Sequence, residues 1–264
     1  MKVGFIGLGV QGKYLAINVA QANHDVMAYD LRTEPLQEVV KHGARAGMSN
    51  SDVGAHGEIT CVCVLDDEQL RAVVLGPDGV LAGAAPGSIL VVHSTVEPRT
   101  IGDLAQHSAQ HGVALVDAPV SGSEPGARNK TMSFMVGASA ESYARCLPVF
   151  EASGKNMLHT GDTGTGIRMK LAHQLIVCVN MLAAYEGMRL GTAAGLAPDL
   201  LEKVMQNGAA QSRMADQWSK RKLGPHAQKV FYKDLKLCLQ YANELNISVP
   251  GAALAQQLLD RIVP

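Results

Sequence analysis

The 264-residue chain is poor in aromatic side chains: four Phe, six Tyr and one Trp make up only 4% of it. Its core must therefore be built from Ala, Val, Leu, Ile and Met, within an ordinary apolar fraction of 47%. An excess of one charge is also missing. Lys and Arg number 23 against 24 Asp and Glu, a formal net charge of −1, which gives no reason to expect a nucleic acid or an anionic membrane as partner. The local basic run Lys220-Arg221-Lys222 reads as a solvated face. Cysteines are few and odd in number (Cys61, Cys63, Cys146, Cys178 and Cys238) and lie mostly in apolar stretches. They read as reduced core residues, not as a disulfide framework. Cys61 and Cys63 have no companion pair at metal-ligand spacing, so no zinc site is expected. No leader-like segment is expected either, because Met1-Lys2 runs straight into strand material at Val3-Gly4-Phe5-Ile6. The most apolar long segment, residues 171–184, is interrupted by His173, Gln174 and Asn180 and is short for a bilayer span. A cytoplasmic protein is the expectation.

Against these absences stands a regular alternation of elements. Residues 3–6 form a short apolar run that ends in Gly7-Leu8-Gly9-Val10-Gln11-Gly12, followed by a helical pattern over 13–21 and a second strand pattern over 25–29. This is a βαβ unit. Apolar runs recur at 59–65, 88–93, 113–117, 133–136 and 157–160, which predicts a parallel sheet covered on both faces. After the glycine-rich stretch 161–166 the pattern turns almost wholly helical, with helices expected over 167–190, 198–207, 231–245 and 251–262. The expected fold is α/β: an N-terminal Rossmann-type doubly wound sheet, residues 1–162, followed by an all-helical C-terminal domain, residues 163–264.

A lone GxGxxG is weak evidence, but here a strand precedes it, a helix follows it, and an acidic residue, Asp30, stands about 20 positions on. Gly7 permits the tight turn, Gly9 lets backbone approach a pyrophosphate, and Gly12 lets the helix pack closely on the strand. A carboxylate at Asp30 would accept the ribose hydroxyls and repel a 2′-phosphate, which favours NAD; Arg32 and Thr33 nearby keep NADP open.

The helix expected from Ile167 is apolar nearly all round, but Lys170, His173 and Gln174 sit three and four positions apart on one face, with Asn180 close to the same stripe. Burying a lysine is expensive, and lysine is a side chain whose pKa moves when it is desolvated, as proton transfer requires. The plain alternative is a snorkelling lysine beside hydrogen-bonded core amides. A second lysine, Lys233, precedes Asp234 at the start of another helix and reads, alone, as a charged pair. A helical domain of about 100 residues cannot easily bury such an apolar helix, so a homodimer or homotetramer is expected.

Taken in order, these residues resemble the β-hydroxyacid dehydrogenase family, which includes 3-hydroxyisobutyrate dehydrogenase and tartronate semialdehyde reductase. The resemblance spans nearly the whole chain: the opening glycine turn, His93-Ser94-Thr95, Asp117-Ala118-Pro119-Val120-Ser121-Gly122-Ser123, Gly126-Ala127, residues 164–170, and Lys233-Asp234-Leu235. It implies that Ser121, Gly122 and Ser123 hold a substrate carboxylate, that Lys170 is the catalytic acid/base, and that Gln174, with His173 beside it, orients the substrate. It further implies that Gly7 to Gly12, Asp30, Leu31, Arg32, Leu65, Thr95 and Lys233 contact the cofactor. The implied reaction is hydride transfer between nicotinamide and the hydroxyl-bearing carbon of a small β-hydroxy acid or its semialdehyde. The chain departs from the family pattern: His93 stands for the usual Asp, Ser123 and Lys130 for Gly, Gln11 for Met and His173 for Asn. The departures keep two alternatives open: an imine or β-hydroxy amino acid as substrate, to which His173 points, and a cofactor-binding protein without turnover.

Overall fold

In the computed structural model, which describes residues 1–216, 218–219 and 225–263, the short apolar runs form one sheet of nine strands. The basic run at 220–222 lies outside the described residues. The strands are β1 (Lys2–Ile6), β2 (Asp25–Tyr29), β3 (Arg45–Ala46), β4 (Ile59–Val62), β5 (Ile89–Val92), β6 (Ala114–Asp117), β7 (Val120–Ser121), β8 (Met132–Gly137) and β9 (Gly154–Gly161). Between them run α1 (Gly12–Gln21), α2 (Thr33–Lys41), α3 (Asn50–His56), α4 (Asp67–Leu75), α5 (Val80–Gly83), α6 (Pro98–Gln110), α7 (Ser123–Arg128) and α8 (Ala140–Glu151). The chain divides into two units, Met1–Lys170 and Leu171–Pro264.

In the first unit the sheet order is β3-β2-β1-β4-β5-β6-β8-β7, with β9 on β8. The six strands from β3 to β6 are parallel, as the alternation predicts. The sheet is not parallel throughout: β8 runs antiparallel to β6 and β7. The physical reason is the connection. Between β7 and β8 the chain has only the six-residue α7, too little for the crossover that a parallel partner needs. Strand β9 regains the parallel sense beside β8 because the 12-residue α8 supplies that crossover.

Both faces of the sheet are buried, which explains why its strands are apolar runs and not alternating ones. In β5, Ile89 and Val91 point to one core, with Phe5, Phe134 and Phe150, while Leu90 and Val92 point to the other, with Leu70, Ile101 and Leu104. The C-terminal ends of the parallel strands, where such folds bind ligands, therefore open onto loops anchored by a rigid sheet.

Helix α9 (Thr165–Ala193) begins in the first unit and continues into the second, which adds α10 (Pro198–Gln206), α11 (Pro225–Glu244), α12 (Pro250–Gln257) and α13 (Leu259–Ile262). The second unit is helical among its described residues, as expected. Its core gathers Cys178 and Met181 of α9, Leu235 of α11, Ala252 and Ala255 of α12, and Leu259 and Ile262 of α13. At 29 residues α9 is longer than the apolar segment read from the sequence and, by length and composition alone, is long enough to cross a bilayer. Its middle is instead the core helix of the second unit. It is not buried all round, however: Ile176 and Leu190 remain 57% and 75% exposed.

Candidate active site

The glycine turn joins β1 to α1, and two of its glycines are demanded by the protein's own packing. A Cβ at Gly7 would run into the carbonyl of Cys63, and one at Gly12 into the carbonyl of Gly7. Gly9 differs: a Cβ there would meet nothing within 4 Å. The fold itself does not need that glycine, so its bare backbone borders open space of the kind a pyrophosphate fills. Helix α1 carries no side-chain cap and no acidic residue in its first turn, which leaves its N-terminus positive toward an anion. Val10 is exposed and Gln11 half-buried at this end. These residues fit a dinucleotide.

Asp30 follows the end of β2. Its Oδ2 accepts the Leu8 N–H at 2.7 Å, which ties it to the glycine turn, and its Oδ1 accepts the Arg32 N–H at 2.9 Å. The Arg32 guanidinium folds back on the same carboxylate, Nε to Oδ1 at 3.0 Å and Nη2 to Oδ2 at 3.2 Å. Partial burial pushes this carboxyl up, but the hydrogen bonds from Arg32 and Leu8 outweigh it and hold Asp30 below the usual range, firmly ionised. Leu31 between them is 90% exposed. Leu65 and Thr95 lie just past β4 and β5. These two strand ends are linked, because the Val64 N–H donates to Ser94 Oγ at 2.9 Å.

The proposed carboxylate-binding turn lies past β6. Gly122 has φ +141°, and Ser123, in the place of a family glycine, holds φ +54°, the left-handed region that favours glycine. Lys130, another such departure, has φ +57°. The backbone shape of a glycine is thus kept at both positions. Ser123 is exposed, Ser121 and Gly122 half-buried. Lys170, only 6% exposed on α9, donates from Nζ to the Val120 carbonyl at 2.8 Å, directly before this turn. The buried-lysine expectation and the turn thus meet within the first unit.

In the second unit a polar chain runs through the helical core. Gln174 is buried, and its Nε2 donates to Asp234 Oδ2 at 2.6 Å. That fixes the amide orientation and turns Gln174 Oε1 to His173 Nδ1 at 3.2 Å. Lys233 Nζ pairs with Asp234 Oδ1 at 3.0 Å. Asp234, 2% exposed, is a residue that sequence reasoning passed over as half of a charged pair. Its signal was weak, since nothing in the sequence says that it faces Gln174, 60 positions away. His93 lies apart from this chemistry. It is buried against Phe5, Phe134 and Phe150, with Nδ1 to the Ala118 carbonyl at 2.8 Å, and burial lowers its pKa to about 4. It is a neutral core residue. Among the described residues no cluster of His, Cys, Asp and Glu could hold a metal ion.

A glycine turn at a helix N-terminus, an ionised carboxylate past β2 and a helical second unit define a nicotinamide-dinucleotide-dependent oxidoreductase. Comparison with known proteins narrows this. Residues 2–161 match the NAD-binding domain of 6-phosphogluconate dehydrogenase, and residues 164–263 match the NAD-binding domain of NADP-dependent 3-hydroxyisobutyrate dehydrogenase. Relatives include 2-(hydroxymethyl)glutarate dehydrogenase of Eubacterium barkeri, 33% identical over 98% of this chain and 88% of that one. The 2-hydroxy-3-oxopropionate reductase of Escherichia coli K12 is also 33% identical, over 98% and 90%. The crystal structure of a 3-hydroxyisobutyrate dehydrogenase from Salmonella typhimurium superposes with a TM-score of 0.86 at 28% identity, over 98% of this chain and 92% of that one. The chain belongs to the β-hydroxyacid dehydrogenase family and is an NAD(P)-dependent enzyme of that class.

Proposed function

We propose that the enzyme interconverts a small β-hydroxy acid and its semialdehyde, of the 3-hydroxyisobutyrate or tartronate semialdehyde kind, with Lys170 as proton donor and acceptor. The names of the relatives support the substrate class. The observation that carries the reading is the buried Lys170 amine on the carbonyl next to the Ser121-Gly122-Ser123 turn. Bound NAD(P) supplies or accepts the hydride. The turn holds the substrate carboxylate. In reduction, the Lys170 ammonium gives its proton to the oxygen that gains charge; in oxidation, the neutral amine takes the hydroxyl proton. Gln174, locked by Asp234, orients the substrate, and His173 beside it selects the substituent next to the carboxylate. Val10, Leu31, Leu65, Thr95 and Lys233 line the cofactor, whereas Leu8, a core side chain whose N–H is held by Asp30, acts only by fixing that carboxylate; NAD is preferred because Asp30 is ionised. The enzyme works in the cytoplasm as a homo-oligomer, which the exposed apolar residues of α9 and α10 support.

Replacing Lys170 tests the mechanism. Lys170→Ala is expected to lower kcat by roughly 10²–10⁴, the usual loss for a general acid or base, with NADH affinity nearly unchanged. Lys170→Arg does not restore the rate, because a guanidinium stays protonated near neutral pH. Turnover is read with the best substrate from a panel of β-hydroxy acids and their amino analogues. Normal turnover in Lys170→Ala refutes the mechanism. A preference for the amino analogues moves the substrate to the β-hydroxy amino acids.

A further inference from the structure

At the start of helix α9 the Thr165 N–H is taken locally, by the Asp162 carbonyl at 3.0 Å. The residue before its first turn is Gly164, with φ +90°, and the third residue of the helix is Ile167. In a capping box these positions carry Ser or Thr and Glu or Gln, and their side chains satisfy each other's backbone N–H groups. Here one has no side chain and the other is apolar. Both donors go instead to a single carboxylate about 50 residues upstream: Gly164 N–H to Asp117 Oδ1 and Ile167 N–H to Asp117 Oδ2, each at 2.6 Å. Asp117 is fully buried at the end of β6. The contact is tight. A Cβ on Gly166 would run into the main-chain carbonyls of Asp117 and Met135, and one on Gly137 into the Asp117 carboxylate itself.

From Asp117 the chain passes through Ala118 and Pro119 to Val120, whose carbonyl takes the Lys170 Nζ. The segment 117–120 therefore grips α9 twice, once at its N-terminus and once at Lys170, and the Ser121-Gly122-Ser123 turn follows directly. We infer that Asp117 is a positioning residue, whose carboxylate sets the seat of α9 on β6 and so the place of the Lys170 amine relative to the carboxylate-binding turn. The inference rests on Lys170 being the proton donor. Stability alone does not account for an acid here. Burial pushes Asp117 up to about 6 in spite of the N–H groups of Gly164 and Ile167 and the Arg168 guanidinium on α9, the charged group facing it. Its ionised form at neutral pH thus works against the folded state.

The test is Asp117→Asn, which keeps the shape and one acceptor but removes the charge, with Lys170→Ala assayed alongside. The expected result is a fall in kcat of about 10–100-fold, the scale of a misplacement near 1 Å. NADH affinity stays within about twofold, and Tm at pH 7.5 within about 3 °C, because the relieved burial of charge offsets one lost hydrogen bond. Amide hydrogen exchange in residues 164–168 becomes faster while that in β1 and β4 does not change. Faster exchange there with full kcat overturns the inference and leaves the lysine reading standing, provided that Lys170→Ala is inactive. Unchanged exchange at 164–168 overturns it too. So does a collapse of Tm with parallel loss of NADH binding, which would mark Asp117 as merely structural. Normal turnover in Lys170→Ala overturns the lysine reading and the positioning role with it.

Discussion

Acidification sets two buried neighbours against each other. His93 bonds to the carbonyl of Ala118, the residue after Asp117. Burial lowers His93 from 6.5 to about 4, so between these values the unfolded chain binds the proton more readily. Stability from His93 is complete above pH 6.5 and is lost as pH falls toward 4. Asp117 is raised from 3.8 to about 6, and there the folded state binds the proton more readily. Its ionisation weakens the fold above pH 6, and stability is regained as pH falls toward 3.8. A tenfold change in proton affinity is worth about 1.4 kcal/mol, so each group accounts for about 3 kcal/mol over its full window. By pH 4.5 His93 has removed about 2.5 kcal/mol and Asp117 has returned about 2 kcal/mol. In the unaltered protein the two nearly cancel. Urea unfolding at one protein concentration, from pH 7.5 to 4.5, separates them in single variants. Asp117→Asn should lose stability relative to the unaltered protein on acidification by about 2 kcal/mol, and His93→Leu should gain relative to it by a similar amount. All other titrating groups are common to the three proteins and drop out of the differences. If both differences stay constant with pH to within about 0.5 kcal/mol, the burial argument for this pair is wrong.

Two further outcomes are expected. NADH should bind more tightly than NADPH, and Asp30→Ala should narrow the gap by about tenfold or more, the worth of a hydrogen bond to a charged group; equal affinities in the unaltered protein would remove Asp30 from that role. Ile176 and Leu190 on α9 and Leu200 and Val204 on α10 are all more than half exposed, so sedimentation at micromolar concentration should show a dimer or larger, and a monomer would count against the proposed assembly.

Much of this protein is legible in its residues alone, because local periodicity carries it. The strand–glycine turn–helix–strand unit at the start, the apolar runs that become β4, β5, β6, β8 and β9, and the switch to helices after residue 161 follow from repeats of two and 3.6 residues and from turn chemistry. The polar stripe of Lys170, His173 and Gln174 on an apolar helix is visible for the same reason. The antiparallel return of β8 is not, since the two-residue β7 and the short α7 are too small to leave a periodic trace. Nor are the partners of the site residues. In the sequence Asp234 reads as half of a charged pair and Asp117 as a strand end. Only the folded chain brings one against Gln174 across 60 residues and the other under the first turn of α9 across about 50. A capping or orienting contact at that separation depends on how the elements pack, and packing is a property of the whole chain rather than of any stretch of it. Local pattern thus says which elements form and which side chains are able to do chemistry, while the buried carboxylates that hold those side chains in place emerge only when distant elements meet.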